Sequence, residues 1–133
     1  DAVGLSPSPC LVRVKRLGDL GFIRGYNANI ALDMIGDFVI VFSEITISNH
    51  RPSDFDRFEK AIDKYEEIIE CHNVSGGYDY LLKIVTRSVS QFQSLMEELL
   101  EKDIGIEKFS SRIVLRKPID KREYPIKIIA ARK

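Results

Sequence analysis

Over residues 38–47, β-branched and aromatic side chains follow one another almost without a break, the pattern of a strand. Arg51-Pro52-Ser53 interrupts it, and Phe55, Phe58, Ile62 and Tyr65 then recur at helical spacing. Ser53 with Asp56 reads as the capping box that opens this helix. Residues 68–74 form a second strand, Ser75-Gly76-Gly77 a tight turn and 78–85 a third strand, so the three together predict a hairpin. Ser88 and Gln91 make another capping box, ahead of a helix whose buried face is Phe92, Leu95, Met96 and Leu99. A fourth strand runs over 106–116 until Pro118 ends it. The order is βαββαβ, an α+β arrangement of the ferredoxin-like kind.

In front of this domain Ser6 reads as a helix N-cap, with Pro7 at the first helical position, where its missing N–H costs nothing. Cys10, Val14 and Leu17 fall on one apolar stripe of the helix. Ser8, Val12, Lys15 and Arg16 face the other way, with Arg13 on the flank. Gly18 weakens the helix and Gly21 stops it. Residues 22–30 read as an extended connector, followed by a less regular stretch to Asp37. No internal repeat is visible beyond the two βαβ halves.

Patterning on the strands carries a quaternary expectation. Val39, Val41, Ile45 and Ile47 share one face of the first strand, and Phe38, Ile40 and Phe42 share the other. Leu81 and Leu82 likewise put apolar side chains on both faces of the third. Two helices cover only one side of a four-stranded sheet, so a second copy of the same sheet is the economical cover for the other.

Composition first narrows the function and then reopens it. With 133 residues, 44% of them hydrophobic, the chain has the material for one cored domain and a small appendage. No apolar run approaches the roughly 20 residues that span a bilayer, and no signal peptide opens the chain, so no membrane partner is expected. Two cysteines, Cys10 and Cys71, make no disulfide framework, and with His50 and His72 they match no zinc spacing. A reducing cytoplasm is the simplest compartment. The net charge is zero, which speaks against a nucleic-acid binder until it is divided along the chain. Residues 1–26 carry net +2, residues 27–111 net −8 and residues 112–133 net +6. An acidic domain therefore lies between a basic helix and a basic tail.

No catalytic constellation stands out. Cys71 and His72 are adjacent on a strand and point to opposite faces, so they do not form a nucleophile–base pair. Asp56, Glu59, Asp63, Glu66 and Glu67 occupy the solvent side of a helix. Neither a phosphate loop nor a metal-binding helix is present, and no enzyme activity, cofactor or metal is expected.

Three stretches together resemble one family. Val3 to Cys10, then Val14-Lys15-Arg16-Leu17 and Gly21-Phe22-Ile23-Arg24-Gly25-Tyr26, resemble a recognition helix and its exit. Glu70-Cys71-His72-Asn73-Val74-Ser75-Gly76-Gly77-Tyr78-Asp79-Tyr80-Leu81-Leu82-Lys83 resembles an effector-domain hallmark, and Gly105-Ile106 through Ile113-Val114-Leu115 a last strand. The family is that of the Lrp/AsnC, or feast/famine, transcriptional regulators of bacteria and archaea. The resemblance covers nearly all of the chain up to about Pro118.

It implies a cytoplasmic regulator in which a helix-turn-helix reads double-stranded DNA and a ferredoxin-like domain dimerises and senses amino acids, with dimers assembling to octamers. The divisions it implies are a partial helix-turn-helix at 1–24, a connector at 25–37, the effector and oligomerisation domain at 38–117 and a basic tail at 118–133. The chain begins at Asp1 with no initiating Met and reads as a fragment or processed product lacking the helix that braces a recognition helix. Weak DNA binding is therefore expected of the chain as it stands.

Ser6, Ser8, Arg13, Lys15 and Arg16 are the implied DNA contacts: cations for phosphates or guanine edges, hydroxyls for phosphate oxygens. On the residues alone, a capped and solvated surface helix is the better account, and the resemblance reverses that order. For the effector, the implied residues are Ser75, Gly76, Gly77, Tyr78 and Asp79, with Ser111 nearby in an assembled oligomer. Glycines expose backbone N–H groups to a carboxylate, Asp79 pairs with an α-ammonium and Tyr78 supplies a wall or a hydroxyl. The alternatives are a plain hairpin turn for Gly76 and Gly77, and an ordinary ion pair for Asp79. A stand-alone amino-acid-sensing and oligomerisation module without DNA binding is the second functional reading. A small enzyme on a dimeric ferredoxin-like barrel is the third.

Overall fold

The computed structural model describes residues 9–131, with the surroundings of side chains from Val12 onward. The chain divides into two compact units, Asp1–Ala31 and Leu32–Lys133.

In the first unit α1 (Pro9–Asp19) continues through Gly18 and stops where Gly21 turns left-handed at φ +85°. The Leu20 N–H reaches the Arg16 carbonyl at 3.0 Å and the Phe22 N–H reaches that of Leu17 at 2.9 Å, which satisfies carbonyls of the last turn. Val14 is half-buried on the expected stripe, while Leu17 remains exposed. The expected start at Ser6-Pro7, residue Ser8 and the side chain of Cys10 lie outside the described residues. Residues 23–31 hold no regular secondary structure.

In the second unit a single 3-10 turn (Leu32–Met34) precedes β1 (Val39–Ile47), α2 (Pro52–Ile62), β2 (Ile68–Asn73), β3 (Tyr80–Thr86), α3 (Val89–Glu101) and β4 (Ile106–Ile113). A short helix, α4 (Ile126–Ala130), comes last. The strands form one antiparallel sheet in the order β2-β3-β1-β4, which is the expected α+β, ferredoxin-like fold. Val41, Ile45 and Ile47 of β1 and Tyr80, Leu82 and Ile84 of β3 pack with Phe58 and Ile62 of α2. The buried side chains of α3 are the four expected ones, Phe92, Leu95, Met96 and Leu99. Ser43 sits fully buried among them, its hydroxyl satisfied at 2.8 Å by that of Ser111 across the β1–β4 pair.

The opposite face of the sheet is mixed. Ile40, Phe42, Glu44 and Thr46 of β1 are half-buried there, beside Leu81, Lys83 and Val85 of β3 and Lys108, Ser110 and Arg112 of β4. Lys117 and residues 120–124 share a cavity of about 440 Å³ with Glu70 and Lys83, so the tail passes this face on its β2 side.

Two local expectations are corrected. The hairpin does not close on a tight Ser75-Gly76-Gly77 turn: pairing ends at Asn73 and Tyr80, and residues 74–79 form a six-residue loop. The cause lies on β1, to which Asp79 is tied by backbone and side chain, holding Tyr78 and Asp79 out of the strand. The second correction is the start of α2, which is capped from Arg51 and not by a Ser53–Asp56 box. Pro52, with its preset φ and no N–H to lose, takes the first helical position. Asp54 then accepts from the Arg51 N–H at 3.1 Å and from its guanidinium Nε at 2.8 Å. Asp56 pairs along the helix with Lys60 at 2.9 Å. The second capping box is as expected, with Ser88 accepting from the Gln91 N–H at 3.1 Å.

Candidate functional site

The loop at residues 74–79 is built around Asp79. Its N–H donates to the Ile45 carbonyl at 2.9 Å, and its own carbonyl accepts from the Val74 N–H at 3.0 Å and from Asn73 Nδ2 at 2.9 Å. Its carboxylate Oδ2 accepts from the Ile47 N–H at 2.8 Å and lies 3.1 Å from His50 Nε2. Burial by itself would raise this carboxyl, but the Ile47 N–H and His50 outweigh it and hold the pKa below the ordinary value. Gly76, at φ +118°, gives the loop a backbone conformation that a side chain would resist.

Beside the loop, on the open face of the sheet, is a cavity of about 220 Å³. Gly77 and Tyr78 form its loop wall, and Glu44, Thr46, Lys108, Phe109 and Ser110 come from β1 and β4. Register explains the grouping, because Glu44 lies opposite Ser110 and Thr46 opposite Lys108. A carboxylate and an ammonium thus border one small space, flanked by a hydroxyl and a glycine backbone. Glu44 also holds an ion pair with Arg112 of β4.

The expected residues are therefore distributed unevenly. Ser75 to Asp79 share one loop, but only Gly77 and Tyr78 line the cavity, and the Asp79 carboxylate is engaged with β1. Ser111 faces the helix side and bonds Ser43, while its neighbour Ser110 meets the cavity. Glu44, Lys108 and Ser110 were not marked by the sequence. Their alternation places them on the face opposite the core, but nothing in the pattern reveals which residues of β1 and β4 are paired. Arg13, Lys15 and Arg16 are exposed on α1, and Ser6 and Ser8 lie outside the described residues.

Cys71 and His72 are not brought together, and Glu66 and Glu67 lie beyond the end of α2 and not on its solvent side. Cys71 lies opposite buried Leu82 and His72 opposite Leu81, so the two point to different faces. Burial of the sulfur, with the nearby Glu59 charge, pushes the Cys71 thiol up to about 11, although the residue as a whole stays exposed at the sheet edge. His72 Nε2 lies 2.9 Å from the Glu70 carboxylate. Among the described residues no group of His, Cys, Asp and Glu could hold a metal, and no helix is long and apolar enough to cross a membrane.

Residues 40–124 match the model of the Lrp/AsnC ligand-binding domain. The chain belongs to the Lrp/AsnC family. Residues 1–24 match a winged helix-turn-helix DNA-binding model. The Leucine-responsive regulatory proteins of Escherichia coli and Klebsiella pneumoniae are each 42% identical over 113 residues, 85% of this chain and 69% of theirs. An AsnC family transcriptional regulator from Agrobacterium tumefaciens superposes with a TM-score of 0.82 at 26% identity, covering 96% of this chain and 82% of that one. A Neisseria meningitidis transcriptional regulator in complex with L-Met has the same TM-score and coverage at 27% identity. The relatives are transcriptional regulators and not enzymes, in keeping with the lack of a catalytic constellation.

Proposed function

We propose that this Lrp/AsnC chain is a cytoplasmic transcriptional regulator whose assembly and DNA binding respond to an amino acid held beside the loop at residues 74–79. The observation that carries this reading is that Glu44 and Lys108 both line the cavity at Gly77 and Tyr78. A zwitterion needs an anion for its ammonium and a cation for its carboxylate, and these two side chains supply both, with Ser110 and the loop N–H groups as further donors. Two related regulators have been solved with L-methionine, one from Neisseria meningitidis and one from M. tuberculosis, which supports an amino acid as the ligand class. Asp79 acts by holding the loop to β1, and Ser75 and Gly76 complete the loop wall, while Ser111 on the other face steadies β4 against Ser43. Two copies pair through the open sheet face, and the pairs associate further toward an octamer. The match of residues 1–24 to a DNA-binding model favours the regulator over a stand-alone sensor. Arg13, Lys15 and Arg16, with Ser6 and Ser8, contact the DNA. Ligand acts on DNA binding only if it prefers one assembly over another.

Calorimetry with a panel of amino acids tests the site. Glu44→Gln and Lys108→Met should each weaken the tightest ligand by about tenfold or more, the worth of a charge-assisted contact. Unchanged affinity in both variants would remove the cavity from consideration. Identical affinity in Asp79→Ala would show that the loop tie is dispensable for binding.

A further inference from the structure

Beyond residue 124 the chain leaves the family's ligand-binding pattern, and there it carries an apolar surface of its own. Ile126, Ile128 and Ile129 of α4 are 71%, 76% and 70% exposed, and Tyr124 just before them is equally bare. Four large apolar side chains within six residues form a patch of the kind that marks an interaction site. A matching surface lies elsewhere in the same unit. On the helix side of the sheet, between α3 and the edge strand β4, Phe92, Met96, Leu100 and Phe109 line a groove of about 480 Å³, with Gln93 and Glu97 among its polar members. Leu100 and Phe109 remain substantially exposed in it.

Charge and topology decide what fills the groove. Residues 125–133 contain Lys127, Arg132 and Lys133 and no acid, whereas the groove includes Glu97, with Glu101 one helical turn further along α3. The chain's own tail is on the wrong side to occupy it. Residues 120–124 lie beside Glu70 and Lys83, on the open face near β2, while the groove is on the helix face at β4. Those two strands are the opposite edges of the sheet, about 14 Å apart at ordinary strand spacing. The five residues of α4 advance only about 7.5 Å.

We propose that the segment Tyr124–Ile129 of one copy docks into the α3–β4 groove of a second copy, with its isoleucines on Leu100 and Phe109 and Lys127 toward Glu97. Exchange of the two tails is self-complementary and closes as a twofold pair. It requires neither the effector site nor pairing through the open face.

Co-expression of two full chains, both carrying Cys10→Ser and Cys71→Ser, tests the docking. One carries Leu100→Cys and the other Ile128→Cys, and mild oxidation with oxidised glutathione traps whatever contact exists. A covalent heterodimer as the main product is the expected result, with the yield falling about threefold at low salt when Glu97→Lys is added to the groove chain. Both substituted positions are exposed, and circular dichroism checks the fold. Phe109→Cys with Ile126→Cys gives a second pair should the first disturb folding. Absence of a heterodimer from natively folded chains overturns the proposal. So does a single chain bearing both cysteines that closes on itself while the mixture does not link, because the tail then docks in its own groove.

Discussion

The two faces of the four-stranded sheet are made from alternate residues of the same strands, yet different rules govern them. On the helix side, Val41, Ser43, Ile45, Leu82 and Ile84 are all fully buried, and the single polar member is matched hydroxyl to hydroxyl with Ser111. On the open side, Ile40, Phe42 and Leu81 alternate with Glu44, Lys83 and Arg112, and most of these are half-buried. Packing selects residues on the first face, so it tolerates almost no polar atom without a partner. The second face keeps charges within reach of one another and of solvent, and it borders the cavity at Gly77 and Tyr78. Stability is concentrated on one face and candidate chemistry on the other.

Leu81 and Leu82 provide the sharpest contrast, being neighbours of one residue type on opposite faces. Leu82→Ala leaves a cavity in the buried core and should cost about 2–5 kcal/mol in urea unfolding. Leu81→Ala should cost less than about half of that, while weakening self-association in sedimentation velocity. Equal losses of stability, with association unchanged, would break the division between the faces.

Asp79 joins the two faces, because the loop it holds forms a wall of the open-side cavity while its anchor is the β1 backbone. Asp79→Ala leaves the Ile47 N–H without its acceptor and should cost about 1.5–3 kcal/mol, whereas Asp79→Asn, which keeps an acceptor, should cost less. The folded carboxyl lies below its ordinary value, so its contribution is complete above the ordinary carboxylate range and disappears as pH falls through the folded value. The gap between wild type and Asp79→Ala should therefore be widest near neutrality and shrink below about pH 4 in denaturant titrations. Asp54, held low first by its hydrogen bond from Arg51, changes with the same sign. A gap that stays constant with pH would deny Asp79 its ionised role.

How much of this could be read in advance follows the same division. The helix-side face was legible because period-two strands and a 3.6-period helix place Val41, Ile45, Phe92, Leu95, Met96 and Leu99 without reference to anything distant. The hairpin loop was misread because its length is set by bonds from Asp79 to Ile45 and Ile47, which are more than 30 positions away. The α2 cap was misread because Ser53 is a better-known cap than Arg51, whereas Pro52 had already fixed the helix start. Glu44 and Lys108 were invisible for a third reason. They meet through strand register, which single-strand alternation does not encode.

The smallest expected effect on stability is also the most discriminating for the site. Arg112 is largely exposed, and its ion pair with Glu44 is a surface contact, so Arg112→Ala should change stability by less than about 1 kcal/mol. Its effect on ligand should be of opposite sign to that of Glu44→Gln. If Glu44 receives the ligand's ammonium, Arg112 competes with that ammonium for the same carboxylate, and its removal leaves the acceptor free. Calorimetry on Arg112→Ala should then show affinity for the amino acid rising a few-fold while affinity in Glu44→Gln falls. A fall in both variants would mean that the guanidinium itself holds the ligand's carboxylate, and the role assigned to Lys108 would pass to Arg112.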